Sequence, residues 1–131
     1  MIRISSESGL RHSITIGEHQ LHTDVPAALG GTDSAPDPHD LHDAALGSCK
    51  ALTLMIYARQ RGLPLESVDV RVNRDDSQER QGIYRLAVEL DLHGDLSDEQ
   101  RQQLLRIADK CPVHKLMTSV EVQVETRLSE V

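Results

Sequence analysis

From Leu41 to Tyr57 apolar and small residues run almost unbroken, and after Asp43 the one full charge is Lys50. Such a pattern leaves no wide polar face, so it predicts a core helix buried on most of its circumference. Both of its ends are marked. Asp37 can cap the start ahead of Pro38, whose fixed backbone angle and missing N–H suit the first helical position. At the far end Arg59 and Arg61 oppose the helix dipole, and Gly62 followed by Pro64 stops the pattern. Cys49 therefore falls inside a long central helix.

On either side the period changes to two. Val68, Val70 and Val72 alternate with Asp69 and Arg71, and Leu86, Val88, Leu90 and Leu92 alternate with Arg85, Glu89 and Asp91, which predicts two half-buried strands. The charged run 73–82 between them predicts a mobile hairpin loop. Upstream, short alternations at Ile14, Ile16 and Leu21, broken by Gly17, predict a hairpin or meander, and residues 30–37 (GGTDSAPD) a polar, turn-rich linker. Ser97 and Gln100 form a capping-box signature that opens a second helix with Leu104, Leu105 and Ala108 on one face and Cys111 on the same side. Pro112 blocks simple continuation, so Cys111 is placed at or near the N-cap of a separate short helical turn. Finally Val120, Val122, Val124 and Leu128 alternate with Glu121, Gln123, Glu125 and Arg127, which predicts a closing strand with one wet face. This order of elements predicts an α+β fold, a mostly antiparallel sheet with helices on one face, in a single domain over residues 1–131.

Composition adds a constraint on the core. The chain is 38% apolar but has no Trp or Phe and only two Tyr, so burial rests on Leu, Val, Ile and Ala, which each cover less area than an aromatic ring. A second copy supplying part of the cover would ease this, which predicts an intimate homodimer. The net charge of −7, with 14 basic against 21 acidic residues, argues against a nucleic-acid partner. No signal-peptide pattern opens the chain, and the apolar run is shorter than the roughly 20 residues of a membrane-spanning helix. Two cysteines without a secretory signal point to a reducing cytoplasm.

Candidate chemistry centres on those two thiols. They are too far apart for a CxxC motif or a close-spaced zinc pair. Gly47 and Ser48 ahead of Cys49 are small enough to admit a substrate or another backbone, and Cys111 lies at a helix start whose dipole favours thiolate. Inert packing is the competing reading for each thiol taken alone. Of the seven histidines, His39 and His42 are spaced for one helical face and His12, His19 and His22 cluster early, yet neither HExxH nor a C2H2 pattern is present, so no metal or cofactor is expected. His114, three residues after Cys111, is placed either to tune that thiol or to face solvent.

The run PHDLHDAALGSCKALTLMIYARQRGLPLESV, with CPVHKL later in the chain and DVPAALGGTDSAPDP upstream, resembles the OsmC/Ohr family of thiol-dependent hydroperoxide reductases. The forms AALGSC and CPVHK are more similar to its general OsmC-like branch. That resemblance implies two interlocked subunits with their central helices packed together and an active site near each interface. It puts the peroxidatic cysteine on Cys49 and the resolving cysteine on Cys111. A thiolate would attack the O–O bond of an organic hydroperoxide and release an alcohol. The sulfenic acid would then be captured as a disulfide, and an external dithiol of the lipoyl type would reopen it. The family also uses an arginine and an acid, which the resemblance places on Arg11, with Arg3 as the alternative, and on Asp40, where the family commonly has Glu. A guanidinium near Cys49 would favour its thiolate. Asp40 and Cys49 are about 13 Å apart along one helix, so Asp40 would act through Arg11 or across the dimer interface, or else belong to a cap begun by Asp37. Leu46, Leu52, Leu54 and Met55 are candidates either for an alkyl-binding pocket or for the core. The expectation is thus a cysteine-based peroxidase. The alternative is a non-catalytic OsmC-like dimer that binds a small hydrophobic or electrophilic ligand in the same pocket, and the separation of the two sulfurs distinguishes them.

Overall fold

The alternation at the start of the chain folds as an antiparallel meander of β1 (Ile2–Ser6), β2 (His12–Ile16) and β3 (His19–Thr23), paired in that order. Ile14 sits at its middle, opposite Ile4 on one side and Leu21 on the other, and is the strand residue that becomes buried. The computed structural model describes residues 1–129, and the last two of the expected 1–131 domain lie outside the described residues. The chain divides into two compact units, Met1–Ala44 and the remainder.

In the first unit the segment after β3 is more than a linker. The Asp24 side chain, only 2% exposed, accepts hydrogen bonds from the Val25 amide (2.8 Å), the Thr32 amide (3.3 Å) and hydroxyl (2.9 Å), and the Ser34 amide (3.0 Å) and hydroxyl (2.6 Å). Burial alone would push this carboxyl up, but the Ser34 hydroxyl, then the Ser34 and Val25 amides, hold it well below the usual carboxylate range. The polar residues of the turn-rich run are thus the donors that make a buried carboxylate tolerable. Gly31 is required by close approach, since a Cβ there would lie 2.0 Å from the Val25 carbonyl oxygen.

The loop ends in α1 (Pro38–Arg61). Its start is a reciprocal cap in which the Asp40 amide donates to Asp37 Oδ1 (2.9 Å) and the Asp37 amide to Asp40 Oδ2 (3.2 Å). Its end is a Schellman-type turn, with Gly62 at φ +66° and the Leu63 amide donating to the Ala58 carbonyl at 2.9 Å. Gly47, Lys50, Leu54 and Ala58 form a buried stripe along the helix. Burial on most of the circumference, as the pattern predicts, is not found: Leu52 is 62% and Ile56 54% exposed. Within the second unit one hairpin and one helix pack against α1, and that is enough to cover a stripe but not the full cylinder.

β4 (Ser67–Asp75) and β5 (Arg85–His93) form that antiparallel hairpin. Val68, Val70 and Val72 pair with Leu92, Leu90 and Val88 on its inner face. On the outer face Arg71 is paired with Asp91 and Glu89, and His93 with Asp69 at 2.8 Å. Gly47 lets α1 approach this sheet, since a Cβ there would lie 2.9 Å from Val72 Cγ2. The run between the strands has its own hydrogen bonds where charge predicts a mobile loop: Asp75 accepts from the Ser77 amide and hydroxyl, and Glu79–Gln81 make a single 3-10 turn.

α2 (Asp98–Ala108) starts with the Ser97–Gln100 capping box that the sequence predicts. Its Leu104 and Ala108 join Leu54 in the core, with Leu63, Leu90 and Leu92 packed around them, whereas Leu105 turns outward. α3 (Pro112–Ser119) follows. The α+β class holds, but among the described residues the strands lie in two antiparallel sheets, of three and two strands, instead of one. The predicted closing strand is also not formed. Its residues are without strand pairing among the described residues, and Val124 is 82% exposed. Alternation supplies an apolar face, but a strand forms only where an edge takes up its amides and carbonyls.

Two outcomes follow from this packing. Gly47→Ala gains about 1 kcal/mol of helix propensity, but it crowds a stiff valine at a cost of roughly 1–3 kcal/mol, so urea unfolding should show net destabilisation, with Gly31→Ala worse because it meets backbone. Asp24 has a depressed folded pKa, so its contribution is complete above its unfolded value near 3.8 and is lost as pH falls below it. Unfolding curves across acid pH should therefore show less slope in Asp24→Asn than in the natural sequence, together with lower stability at pH 7.

Candidate active site

α2 cannot run on through Pro112, so the chain turns after Ala108 and restarts as α3, with Cys111 as its N-cap. Cys111 Sγ accepts the amide of His114 at 3.4 Å and is completely buried. Cys49 lies on α1, partly exposed, with its Sγ 3.9 Å from Thr53 Oγ1 one turn on. The two thiols are free and lie near enough for Cys49 to influence the Cys111 thiol. Burial, the largest influence, pushes the Cys111 thiol up, and the neighbouring Cys49 adds to this, while the His114 amide and the Lys50 ammonium oppose it. The net effect holds Cys111 protonated above its ordinary range.

Lys50 follows Cys49 directly and is only 3% exposed. Its Nζ donates to the Ala108 carbonyl (2.9 Å), to Asp109 Oδ1 (3.3 Å) and to His114 Nδ1 (2.9 Å). An ammonium has three protons, and all three are accepted here. With Nδ1 accepting, a neutral His114 carries its ring proton on Nε2. His114 therefore serves twice, through its amide to Cys111 and through its ring to Lys50. An open polar groove of about 500 Å³ runs alongside, lined by Asp109, Lys110, His114, Lys115, Thr118 and Ser119.

Cys49 and Cys111 are thus brought together within the second unit. Arg11 and Asp40 belong to the first unit, where each has partners. Arg11 donates to the Ser34 carbonyl (2.9 Å) and hydroxyl (2.8 Å) and pairs with Glu7 at 3.6 Å, so it braces the Asp24 loop. Asp40 shares the reciprocal α1 cap with Asp37. Arg3, the alternative cation, is exposed on β1. Of the apolar candidates, Leu54 and Leu46 are buried and Leu52 is exposed. Sequence reasoning noted Lys50 as the one charge of its run without giving it a role, and passed over Asp24. Both carry the same signal, a charge in a stretch that folds inward, and such a charge requires named partners. Among the described residues no group of three or more His, Cys, Asp or Glu is arranged to hold a metal ion, and no helix is long and apolar enough to cross a membrane.

The family model for OsmC-like proteins matches residues 31–127, a span that contains both thiols, and the chain belongs to that family. The fold is shared with solved structures. A Psychrobacter arcticus protein, provisionally described as osmotic stress induced and in the detoxification response, is 21% identical with a TM-score of 0.76, covering 90% of this chain and 88% of its own. The Legionella pneumophila organic hydroperoxide resistance protein OsmC is 22% identical with a TM-score of 0.62, covering 91% and 90%. The organic hydroperoxide resistance protein OhrB of Bacillus subtilis is 23% identical with a TM-score of 0.55, covering 91% of each chain. No curated protein matches the sequence.

The unequal exposure of the two sulfurs sets their order of reaction with a thiol reagent. In native protein at neutral pH, iodoacetamide should label Cys49 well before Cys111, as read by peptide mass mapping, and equal labelling rates would contradict this geometry.

Proposed function

We propose that this chain is a cysteine-based peroxidase that reduces organic hydroperoxides to alcohols, with Cys49 as the attacking thiol and Cys111 as the resolving one. The observation that carries it is the proximity of two free thiols from distant parts of the sequence. The Cys49 thiolate attacks the terminal oxygen of the hydroperoxide, the O–O bond breaks, and the alkoxide leaves and takes a proton to become the alcohol. Cys49 is then a sulfenic acid. The Cys111 thiolate attacks its sulfur, hydroxide departs and is protonated to water, and a Cys49–Cys111 disulfide remains. An external dithiol of the lipoyl type reduces that disulfide by exchange.

A sulfenic acid left waiting is oxidised further, so a second thiol close beside it favours this reading over a ligand-binding, non-catalytic dimer. Membership in the OsmC-like family adds support, as do structural relatives whose names refer to organic hydroperoxide resistance. Arg11 as the activating cation and Asp40 as its acid complete the proposal on the resemblance alone. The working unit is a cytoplasmic homodimer. The exposed Leu52 and Ile56 on α1 and the unpaired, exposed Val122 and Val124 are the kind of surface that a second copy would cover.

The test is consumption of cumene or tert-butyl hydroperoxide with dihydrolipoamide as reductant. Cys49→Ser should fall to the uncatalysed background. Cys111→Ser should complete a first turnover and then accumulate sulfinic acid, detected by intact mass. Full activity in Cys49→Ser would end this reading.

A further inference from the structure

We propose that Lys50 is the positioning residue for Cys111: a fixed ammonium that ties the α2–α3 corner to α1 and supplies the positive charge in whose field the second sulfur reacts. The inference rests on the proposed thiol chemistry for its meaning in turnover, though the arrangement itself does not.

An apolar side chain would suit this buried stripe of α1, beside Leu54 and Gly47, at far lower desolvation cost. A lysine there is tolerated because each proton has an acceptor, and those acceptors lie on the segment that presents Cys111. The Ala108 carbonyl is among the last of α2 and otherwise takes only the Cys111 amide at 3.5 Å, Asp109 caps that helix, and His114 is in the first turn of α3. Cys111 lies between Asp109 and His114 in sequence, and its sulfur takes the His114 amide. Consecutive residues of α1 thus hold the two halves of the arrangement, Cys49 beside Cys111 and Lys50 gripping the residues on either side of it.

Because its three protons are all engaged, Lys50 acts through its charge and its grip and not as a proton donor to the departing hydroxide. The ionisable groups around the buried sulfur are Cys49 and Lys50 from α1, Asp109 at the end of α2, and His114 from α3. Of these, Lys50 is the buried cation. In resolution, Cys111 gives up its proton to solvent, its sulfur bonds to Cys49, the S–O bond of the sulfenic acid breaks, and the hydroxide takes up a proton to leave as water. Lys50 favours the ionised sulfur that this sequence requires, against the burial that disfavours it.

The experiment reads the thiolate of Cys111 directly, by ultraviolet absorbance against pH in a Cys49→Ser background, with the Cys111→Ser double variant subtracted. No reagent needs to enter the site and no peroxide is present. Lys50→Gln should raise the midpoint by roughly one pH unit, and Lys50→Arg should return it toward the starting value. An unchanged midpoint in folded Lys50→Gln would overturn the proposal. Should the neutral variant fail to fold, the same titration on Asp109→Asn decides. Losing the exposed carboxylate leaves the ammonium less neutralised, so the midpoint should fall, and a fixed midpoint would again overturn it. A shift in these titrations with no peroxide turnover by the natural sequence would instead defeat only the functional reading above.

Discussion

A positive charge inside a small apolar core is stable only when its protons are accepted at hydrogen-bond distance, and Lys50 meets that condition with three acceptors from one corner of the chain. Much of the second unit is organised around this constraint. α1 must lie close enough to the α2–α3 corner for its side chain to reach, and Gly47 lets the same helix settle onto β4 one turn earlier. Leu54 then meets Leu104 and Ala108, filling with aliphatic packing the space that the polar contact leaves. The thiols lie close together where these requirements intersect.

The first unit solves the mirror-image problem. Asp24 is an anion taken from water, and the Val25 amide with the amides and hydroxyls of Thr32 and Ser34 take the place of its hydration. Arg11 reaches the same loop through Ser34 without touching the carboxylate. In both units, then, a buried charge, Asp24 or Lys50, fixes a segment that lacks regular secondary structure, and the polar residues nearby are chosen by donor or acceptor count. For the loop the requirement extends to the backbone, since Gly31 leaves space that any side chain would fill.

The elements governed by local rules were legible before any coordinates. The Asp37–Pro38 start, the Gly62 stop, the Ser97–Gln100 box and Cys111 at a helix start each depend on a few neighbouring residues, and each stands where it was placed. The half-buried strands from Val68 and Leu86 follow from alternation in the same way. What was not legible depended on partners distant in sequence. Alternation around Val122 gives a strand its faces but not the edge it needs, and an apolar run around Leu52 says that cover is wanted but not which segment provides it. Pairing of the thiols came from the family resemblance, not from spacing. Lys50 was visible as an anomaly and Asp24 passed unremarked, because the acceptors of one and the donors of the other are contributed by tertiary structure.

Cys111 is a helix cap as well as a thiol, and one atom does both jobs. Whatever alters the electron density on that sulfur, whether ionisation, a covalent bond or a bound electrophile, also alters how well the His114 amide in the first turn of α3 is satisfied. Helix order and sulfur chemistry are in this sense a single variable, so amide exchange at His114 serves as a built-in gauge of what the sulfur has become.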